Sequence, residues 1–374
     1  MAGSEFEEKK GRVIEFLQSE GLDAVVLNSQ HNFAWITCGA SNAIDTSREN
    51  GAASVLIAAD GRCFLLANNI EMPRMLSEQV EGLGLEPVEY SWQSEKVSAA
   101  TARDAALTTI GGRGWIATDI PMFEDVPAVD GKLAALRYQL TDEERTRFKE
   151  LGRDAGAAMV SAAKAISPGQ SELEVAEIMR HEFAARNISL VVSLVGADER
   201  VSAYRHPVPT NKRWDKTVLI VACAKRHGLI ASLSRMISNG PPDDELVRKT
   251  EAAAFVNASL WHSTGPGTTG AELYRAAADA YEKAGFGDEI GRHHQGGAAG
   301  YRTREWVAHP ECREMVLAGQ AFAWNPSITG TKVEETVIVD EFGIEVLTAS
   351  NDFPVITTVI DGREYHSPGI LTLS

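Results

Sequence analysis

Imidazole, carboxylate and guanidinium side chains that could take part in hydrolysis lie in the second half of this chain. Near neutral pH an imidazole can accept and return a proton. Hydrolysis of a C–N bond needs both steps, because water must be activated and the leaving nitrogen protonated. Structural roles are the alternative. His206, beside Pro207, could stabilise a turn, and His294 could be packed in the core. Glu334 could be a solvent-exposed residue at the start of a strand. The candidates are His206, His294, Arg304, Glu305 and Glu334.

An internal repeat indicates how the chain could bring these residues together. Residues 168–174 read Pro-Gly-Gln-Ser-Glu-Leu-Glu, and residues 266–272 read Pro-Gly-Thr-Thr-Gly-Ala-Glu, so a Pro-Gly turn precedes a helix capping box twice, 98 positions apart. The stretches 203–206 and 300–303 follow at an offset of 97. A duplicated αβ unit creates a cleft in which a small ligand can be bound from both sides. Coincidental turn chemistry is the alternative.

The first part of the chain predicts a separate α/β domain. A helical pattern with an apolar side that includes Val13 and Leu17 precedes a buried strand over 24–27. Asp60-Gly61 between two apolar runs predicts a hairpin, and a helix is expected near 72–80. A new helix begins at a capping box formed by Thr141 and Glu144. We therefore predict domains over 1–139 and 140–374.

Composition excludes several classes of function. The chain has 374 residues, 44% of them hydrophobic and 24% charged, and a net charge of -16, which argues against a nucleic-acid partner. Its four scattered cysteines form no disulfide framework or zinc knuckle and are interpreted as free thiols. No apolar run is long enough to span a membrane, and the first six residues lack the regions of a signal peptide. We expect a cytoplasmic protein without a membrane partner.

Four motifs in the region 140–350 make the chain resemble the family of creatinase, prolidase, aminopeptidase P and methionine aminopeptidase. The first motif is the predicted hairpin 221–235, in which Gly228 and Arg235 fit the family pattern. The second is the run 293–297, His-His-Gln-Gly-Gly. The others are Trp-Asn-Pro at 324–326 and Lys-Val-Glu-Glu-Thr-Val at 332–337. The resemblance implies an α/β fold of the pita-bread type, preceded by a smaller creatinase-like α/β domain.

Metal-dependent members of that family hold two ions with two Asp, one His and two Glu. At the positions of this chain that match, the residues are Val221, Ser232, His294, Asn325 and Glu334. His294 is preferred to His293 for the histidine position. Only His294 and Glu334 keep a ligand type, and two hard divalent ions need several oxygen donors each. We therefore expect neither a functional metal site nor another cofactor, although one weakly held ion is the alternative.

The resemblance also implies roles for individual residues. His206 matches the family histidine that transfers protons, and Glu334 could bind a cationic nitrogen or orient water and, by favouring its charged form, raise the pKa of a nearby imidazole. Glu305 matches the Glu of a His-Glu pair. Arg304 stands in place of its His, where it could bind a substrate carboxylate or pair with Glu305. The expected catalytic residues are His206, Glu334 and Glu305, and the expected substrate-binding residues are His294, Arg304, Ser232, Asn325 and Tyr301.

These inferences predict a metal-independent hydrolase of a C–N bond in a small polar substrate, similar to creatinase or ectoine hydrolase. The uncharged Ser232 argues against creatine itself, because its guanidinium would need a carboxylate there. A metal-dependent Xaa-Pro dipeptidase or aminopeptidase is one alternative, and a non-catalytic homologue that binds a small molecule is another. A homodimer is expected by resemblance, with residues 42–49 either a solvated loop or a lid over the partner's cleft.

Overall fold

The computed structural model describes residues 2–98, 100–112 and 114–373. The chain divides into two compact units, Met1–Arg137 and Tyr138–Ser374. No helix in the described part of the chain has the length and apolar character needed to cross a membrane. The domain types that the sequence predicts for 1–139 and 140–374 stay predictions.

The first unit is a five-stranded mixed sheet with helices. Its strand order is β4-β3-β2-β1-β5, with β1 antiparallel to β2 and parallel to β5. A π-helical turn over Met75–Gln79 continues α3, and a 3-10 turn over Ala134–Arg137 follows α6. The elements are α1 (Ala2–Glu20), β1 (Ala24–Ser29), α2 (Gln30–Ile36), β2 (Asn50–Ala58), β3 (Cys63–Asn68), α3 (Met72–Arg74), β4 (Glu86–Tyr90), α4 (Trp92–Val97), α5 (Ala100–Thr109), β5 (Ile116–Thr118) and α6 (Asp130–Leu133).

The predicted hairpin of the first unit is confirmed. Strands β2 and β3 pair antiparallel from Ile57 with Cys63 onwards, and Gly61 adopts a φ of 90° at the turn between them. Only glycine adopts this left-handed conformation without strain, so the Asp-Gly pair fixes the place of the turn.

A buried polar cluster lies at the end of the first unit. Asp130 Oδ1 accepts a hydrogen bond from Asn32 Nδ2 at 2.9 Å and lies 3.1 Å from His31 Nε2. The guanidinium of Arg137, which is completely buried, lies 3.3 Å from the same oxygen. Burial of a charged guanidinium requires an anionic or hydrogen-bonding partner, and Asp130 supplies the charge.

The second unit contains long helices packed on two sheets. All three predicted capping boxes are present: Thr141 with Glu144, Ser171 with Glu174, and Thr269 with Glu272. The helices are α7 (Asp142–Ala165), α8 (Glu172–Ala184), α9 (Glu199–Ala203), α10 (Asp244–Ser263) and α11 (Gly270–Lys283), and a 3-10 helix covers Gly287–Arg292.

The strands of the second unit form a four-stranded sheet, β18-β8-β7-β6, a five-stranded sheet, β10-β9-β11-β14-β15, and two separate pairs. A backbone bridge between Ser234 and Glu334 joins β8 to the segment that precedes β14. The strands are β6 (Ser189–Ala197), β7 (Thr217–Arg226), β8 (Leu229–Asn239), β9 (Gly296–Ala299), β10 (Trp306–Val307), β11 (Gln320–Trp324), β12 (Ser327–Ile328), β13 (Thr331–Lys332), β14 (Glu335–Asp340), β15 (Gly343–Val346), β16 (Val355–Ile360), β17 (Arg363–Pro368) and β18 (Ile370–Leu373).

Strand β9 passes very close to its neighbours. A Cβ atom on Gly296 would overlap the carbonyl oxygen of Ala323 in β11, and one on Gly297 would overlap the carbonyl oxygen of Trp306 in β10. Gly296 also has a φ of 101°. Glycine is therefore required sterically at the start of this strand, directly after the histidine pair.

Candidate functional site

A cavity of about 270 Å³ lies in the second unit where the two sheets meet. Its apolar wall is formed by β6 and β7, and its polar wall comes from loops and from the segment around β13. The lining residues are Val192, Leu194, His206, Val221, Cys223, His294, Thr303, Arg304, Asn325, Lys332 and Glu334. A small apolar cleft with a few polar groups is the usual form of a binding site for a small molecule.

Strand register places four side chains of β7 and β8 on the cavity side of the sheet. Val221 pairs with Ser234, and Cys223 pairs with Ser232. Directly opposed residues of antiparallel strands point to the same face, as do residues two apart. Ser234 Oγ donates a hydrogen bond of 2.6 Å to Glu334 Oε2, and Ser232 Oγ donates to Cys223 Sγ at 3.4 Å.

Glu334 is the centre of a buried ion cluster. Lys332 Nζ lies 3.1 Å from one carboxylate oxygen, and Arg304 Nη2 donates to the other at 3.2 Å. Burial alone would raise the pKa of Glu334, but the ammonium of Lys332, the guanidinium of Arg304 and the hydrogen bond from Ser234 lower it to about 2. The carboxylate is therefore ionised at neutral pH, and its charge is outnumbered by two cations.

Two polar atoms in the cavity wall are buried without a hydrogen-bond partner among the described residues: Arg304 Nε, a donor, and Asn325 Oδ1, an acceptor. Buried polar groups in proteins are nearly always paired, because an unpaired one has lost its bonds to water. The cavity wall thus contains one unpaired donor and one unpaired acceptor, both of them shielded from solvent.

The loop that carries His206 is held by residues from the other half of the unit. Arg205 Nη1 donates to Ser327 Oγ at 3.1 Å, and Arg205 Nη2 donates to Thr329 Oγ1 at 2.9 Å and pairs with Glu289. These bonds cross between segments more than 80 positions apart, so His206 faces the second half across the cavity.

His206 meets a second and a third histidine there. His293 Nε2 lies 3.2 Å from His206 Nε2, and the rings of His293 and His294 stack with centroids 4.4 Å apart. Each of the three histidines has a nitrogen within 4.8 Å of those of the other two. Gln295 fixes the pair from behind, because its Nε2 donates to the carbonyl oxygen of His293 at 2.6 Å while its own Oε1 accepts from Tyr281 Oη at 2.8 Å.

All three imidazoles are held in the neutral form at neutral pH. Burial, followed by the charge of Lys332, lowers the pKa of His293 to about 2. Burial, followed by the charges of Arg304 and Lys332, lowers the pKa of His294 to about 4. The pKa of His206 is also lowered, first by burial and then by Lys332, although Glu334 acts in the opposite direction. The expected rise in imidazole pKa beside Glu334 is therefore wrong, because burial and the neighbouring cations outweigh the carboxylate.

Five of the expected site residues line the cavity together: His206, Glu334, His294, Arg304 and Asn325. Ser232 lies just behind the wall, where its hydroxyl accepts a hydrogen bond from Arg304 Nη1 at 3.3 Å. Arg304 pairs with Glu334, a partner that sequence reasoning did not consider.

Besides Ser232, two expected residues are not among those that line the cavity. Tyr301 Oη donates to Glu144 Oε1 at 2.7 Å at the start of α7, and Glu305 Oε1 accepts from the Tyr301 N–H at 3.1 Å. The substrate-binding role expected for Tyr301 and the catalytic role expected for Glu305 stay predictions, while these bonds connect the turn before β10 to α7.

Sequence reasoning missed Lys332, Ser234 and His293 as parts of the site. Lys332 and Glu334 are two positions apart in an extended segment, and so are Ser232 and Ser234, which places each pair on one face. From that spacing, Lys332 and Ser234 could have been predicted to lie beside the expected site residues. The proximity of His293 to His206 depends on tertiary structure alone, because they are 87 positions apart.

The five positions at which related enzymes hold two metal ions do not fit a two-ion centre in this chain. Val221 offers no donor atom, and the Ser232 hydroxyl is engaged with Arg304 and Cys223. Glu334 has both oxygens bound to cationic side chains. Asn325 offers one free oxygen and His294 one imidazole, which cannot enclose or neutralise two divalent ions.

Residues 146–341 match the model of "Metallopeptidase family M24". The chain is 24% identical over 230 residues to an Xaa-Pro dipeptidase of Pyrococcus furiosus, which covers 59% of this chain and 66% of that protein, just under two thirds. It is 22% identical over 362 residues to an Xaa-Pro dipeptidase of Pyrococcus horikoshii, covering 91% of this chain and 97% of that protein.

The fold is similar to that of a solved Xaa-Pro dipeptidase from Bacillus anthracis. The TM-score is 0.76 at 20% sequence identity, over 98% of this chain and 100% of the other. Together with the family match, this similarity confirms the predicted α/β fold of the pita-bread type. It also shows that the main functional expectation, a metal-independent creatinase-like hydrolase, is wrong, because the matching family is one of metallopeptidases and these relatives are Xaa-Pro dipeptidases.

Proposed function

Because the chain belongs to metallopeptidase family M24, we propose that it is a metal-dependent hydrolase of short peptides, with Xaa-Pro dipeptides as its first candidate substrates. The observation that carries the proposal is a cavity lined by Arg304, Lys332 and Asn325, in which the two cations share the single carboxylate of Glu334. A peptide brings the complementary groups, a carboxylate or carbonyl oxygen for the arginine and an N–H for the asparagine.

The size and charge of the cavity suit a small anionic peptide end. About 270 Å³ is at the lower limit of ordinary small-molecule pockets and is enough for a dipeptide-sized ligand. Two cations, Arg304 and Lys332, face one carboxylate, Glu334, which leaves a net positive charge for a substrate carboxylate. Arginine binds carboxylates through a planar fork of N–H groups.

Neutral imidazoles give the cavity a means of proton transfer. In amide hydrolysis a water oxygen forms the new C–O bond while the C–N bond breaks, and one proton moves from the water to the leaving nitrogen. Neutral His206, at the cavity wall, has one lone pair that can accept that proton and return it whenever it is not holding a metal ion. Arg304 and Lys332 can orient the substrate while His206 acts.

A metal ion, when bound, would act as a Lewis acid on the carbonyl oxygen of the peptide. The five positions used by related enzymes do not fit two ions here. The candidate donors are His206, His293 and His294, the group of metal-ligand side chains found among the described residues.

Hydrolysis of Xaa-Pro dipeptides by the purified chain tests this function. Matched dipeptides whose second residue is not proline show whether the enzyme requires proline. Assays with and without added Mn²⁺, Co²⁺ or Zn²⁺ show whether it requires a metal. Turnover that a chelator removes and an added metal restores is the expected result. If dipeptides bind but are not hydrolysed with any of these metals, the proposed enzymatic activity is wrong and the chain is a binding protein. Homodimer assembly and cytoplasmic location stay predictions.

A further inference from the structure

We propose that His206, His293 and His294 form a binding site for a single transition-metal ion of the Zn²⁺, Co²⁺ or Ni²⁺ type. The donor set is three imidazoles, which suits these metals and not Mg²⁺ or Ca²⁺, since the latter prefer oxygen ligands. It differs from the two Asp, one His and two Glu of related two-metal enzymes. The site does not depend on peptidase activity.

The spacing of the three rings fits one ion. A tetrahedral ion with Zn–N bonds of about 2.0–2.1 Å holds its nitrogen ligands about 3.3 Å apart. His293 Nε2 and His206 Nε2 are 3.2 Å apart, and nitrogens of all three rings lie within 4.8 Å of one another. The stacked rings of His293 and His294 must rotate before their lone pairs converge on one ion, and two of the three histidines are exposed and have room to turn.

The hydrogen-bond geometry favours the same interpretation. Two imidazoles whose Nε2 atoms face each other can form a hydrogen bond only if one of them carries the proton there. If His293 carries it, the Nδ1 of His293 keeps an unused lone pair, and that atom is buried with no partner in the described part of the chain. An ion between the two Nε2 atoms would remove the need for that shared proton.

Three protein ligands would leave one coordination position open. Structural zinc sites usually have four protein ligands, whereas catalytic ones have three and keep a position for water or substrate. His206 and His294 both line the cavity that Arg304 and Asn325 also line. The open position is therefore reachable by a ligand bound in that cavity.

Nearby charges oppose the ion and give the proposal a sharp test. Lys332 and Arg304 line the same cavity as His206 and His294 and would repel a divalent ion, while Glu334 offsets only one of their two charges. Metal binding should therefore be weaker than at an ordinary three-histidine site. Removing one positive charge with Lys332→Gln should raise the metal affinity several-fold. Substitutions far from the three histidines should leave the affinity unchanged.

Equilibrium dialysis and calorimetry with Zn²⁺ and Co²⁺ on the full chain, carrying no polyhistidine tag, measure this binding directly. The visible absorption of bound Co²⁺ reports its coordination. One ion per chain is expected, lost in His206→Ala and in His293→Ala. The exposed His181 on α8 supplies a matched control, since His181→Ala should bind as the wild type does.

Thermal unfolding and circular dichroism show whether the variants fold. If His293→Ala does not fold, His206→Ala provides the test, because His206 lies in an exposed loop. Equal binding by wild type, His206→Ala and His293→Ala would overturn the site, as would no binding by a folded wild type. A metal bound at the cluster without peptidase activity would instead reject the proposed function and keep the site. Metal-dependent peptidase activity that stays unchanged in His293→Ala, together with an unchanged metal stoichiometry, would do the reverse.

Discussion

Lys332 and Glu334 form an ion pair within a single extended segment, with Lys332 Nζ 3.1 Å from Glu334 Oε2 and both side chains less than 5% exposed. Arg304 binds the second oxygen of the same carboxylate from another part of the chain. Two cationic side chains thus surround a carboxylate at a position that the family resemblance assigns to a metal ligand. The cavity keeps a positive charge through its own side chains.

Glu334→Gln should destabilise the second unit strongly. Removing one partner of a buried ion pair leaves an uncompensated charge and typically costs about 3–5 kcal/mol. Here two buried cations would lose their common anion. Chemical denaturation followed by tryptophan fluorescence measures the change in the free energy of unfolding.

Glu345→Gln is the control for Glu334→Gln. Glu345 pairs with Lys149 at 2.7 Å, but both side chains are about half exposed. A surface ion pair contributes roughly 0–1 kcal/mol. Equal losses of stability in the two variants would contradict the assignment of a buried ion cluster around Glu334.

Asp130→Asn should destabilise the first unit by roughly 1–2 kcal/mol at pH 7, because it weakens hydrogen bonds to a charged group. Burial alone would raise the pKa of Asp130, but the hydrogen bond from His31 and the charge of Arg137 lower it well below 3.8 in the folded state. The ionised carboxylate therefore stabilises the fold above the unfolded pKa of about 3.8, and this contribution is lost as the pH falls below that value.

The measurement is the difference in unfolding free energy between wild type and Asp130→Asn, followed from pH 7 to pH 3. The difference should be constant above about pH 5 and should shrink at lower pH. Asp125→Asn is the matched control, since Asp125 is 86% exposed and its contact with Arg103 is 4.0 Å long. A difference that grew on acidification would show that Asp130 is not ionised in the folded protein.

His206→Ala should lower kcat for a dipeptide substrate by roughly 10²–10⁴-fold, the usual contribution of a positioned acid–base group. The exposed His181→Ala should leave kcat unchanged. Steady-state kinetics on both variants, after a check of folding by circular dichroism, make the comparison. Full activity in His206→Ala would remove His206 from the reaction.

Amidation of the substrate's C-terminus should raise KM by about 10–100-fold, which corresponds to the loss of one charge-assisted hydrogen bond. Arg304→Lys should narrow this difference, because lysine keeps the charge but lacks the Nε–H that arginine offers. The same KM for free-acid and amidated dipeptides in the wild type would show that the cavity does not bind a substrate carboxylate.

Local patterns in the sequence predicted local structure correctly. Each capping box depends on two side chains three positions apart, as with Ser171 and Glu174, and each is present in the structure. The Asp-Gly turn before β3 is of the same kind. These features need no information about distant residues, because the side chains bond to the backbone of their own turn.

The chemistry of the site could not be predicted in the same way. Arg304 was expected to bind substrate or to pair with Glu305, but its guanidinium donates a hydrogen bond to Glu334, 30 positions away. Burial then sets the charge state of the imidazoles, and burial is decided by the packing of two sheets. Family resemblance located His206, His294, Asn325 and Glu334 correctly in one cavity, yet it gave no indication that His293 would join them.

The tight approach of β9 to its neighbours restricts how this protein could be re-engineered or could diverge. Gly296 and Gly297 admit no side chain without separating β9 from β10 or β11. Substitution there would displace the adjoining histidines before it altered ligand preference. Variant libraries aimed at larger ligands should therefore keep both glycines and diversify Val192 and Leu194, where shorter side chains enlarge the cavity from the opposite wall.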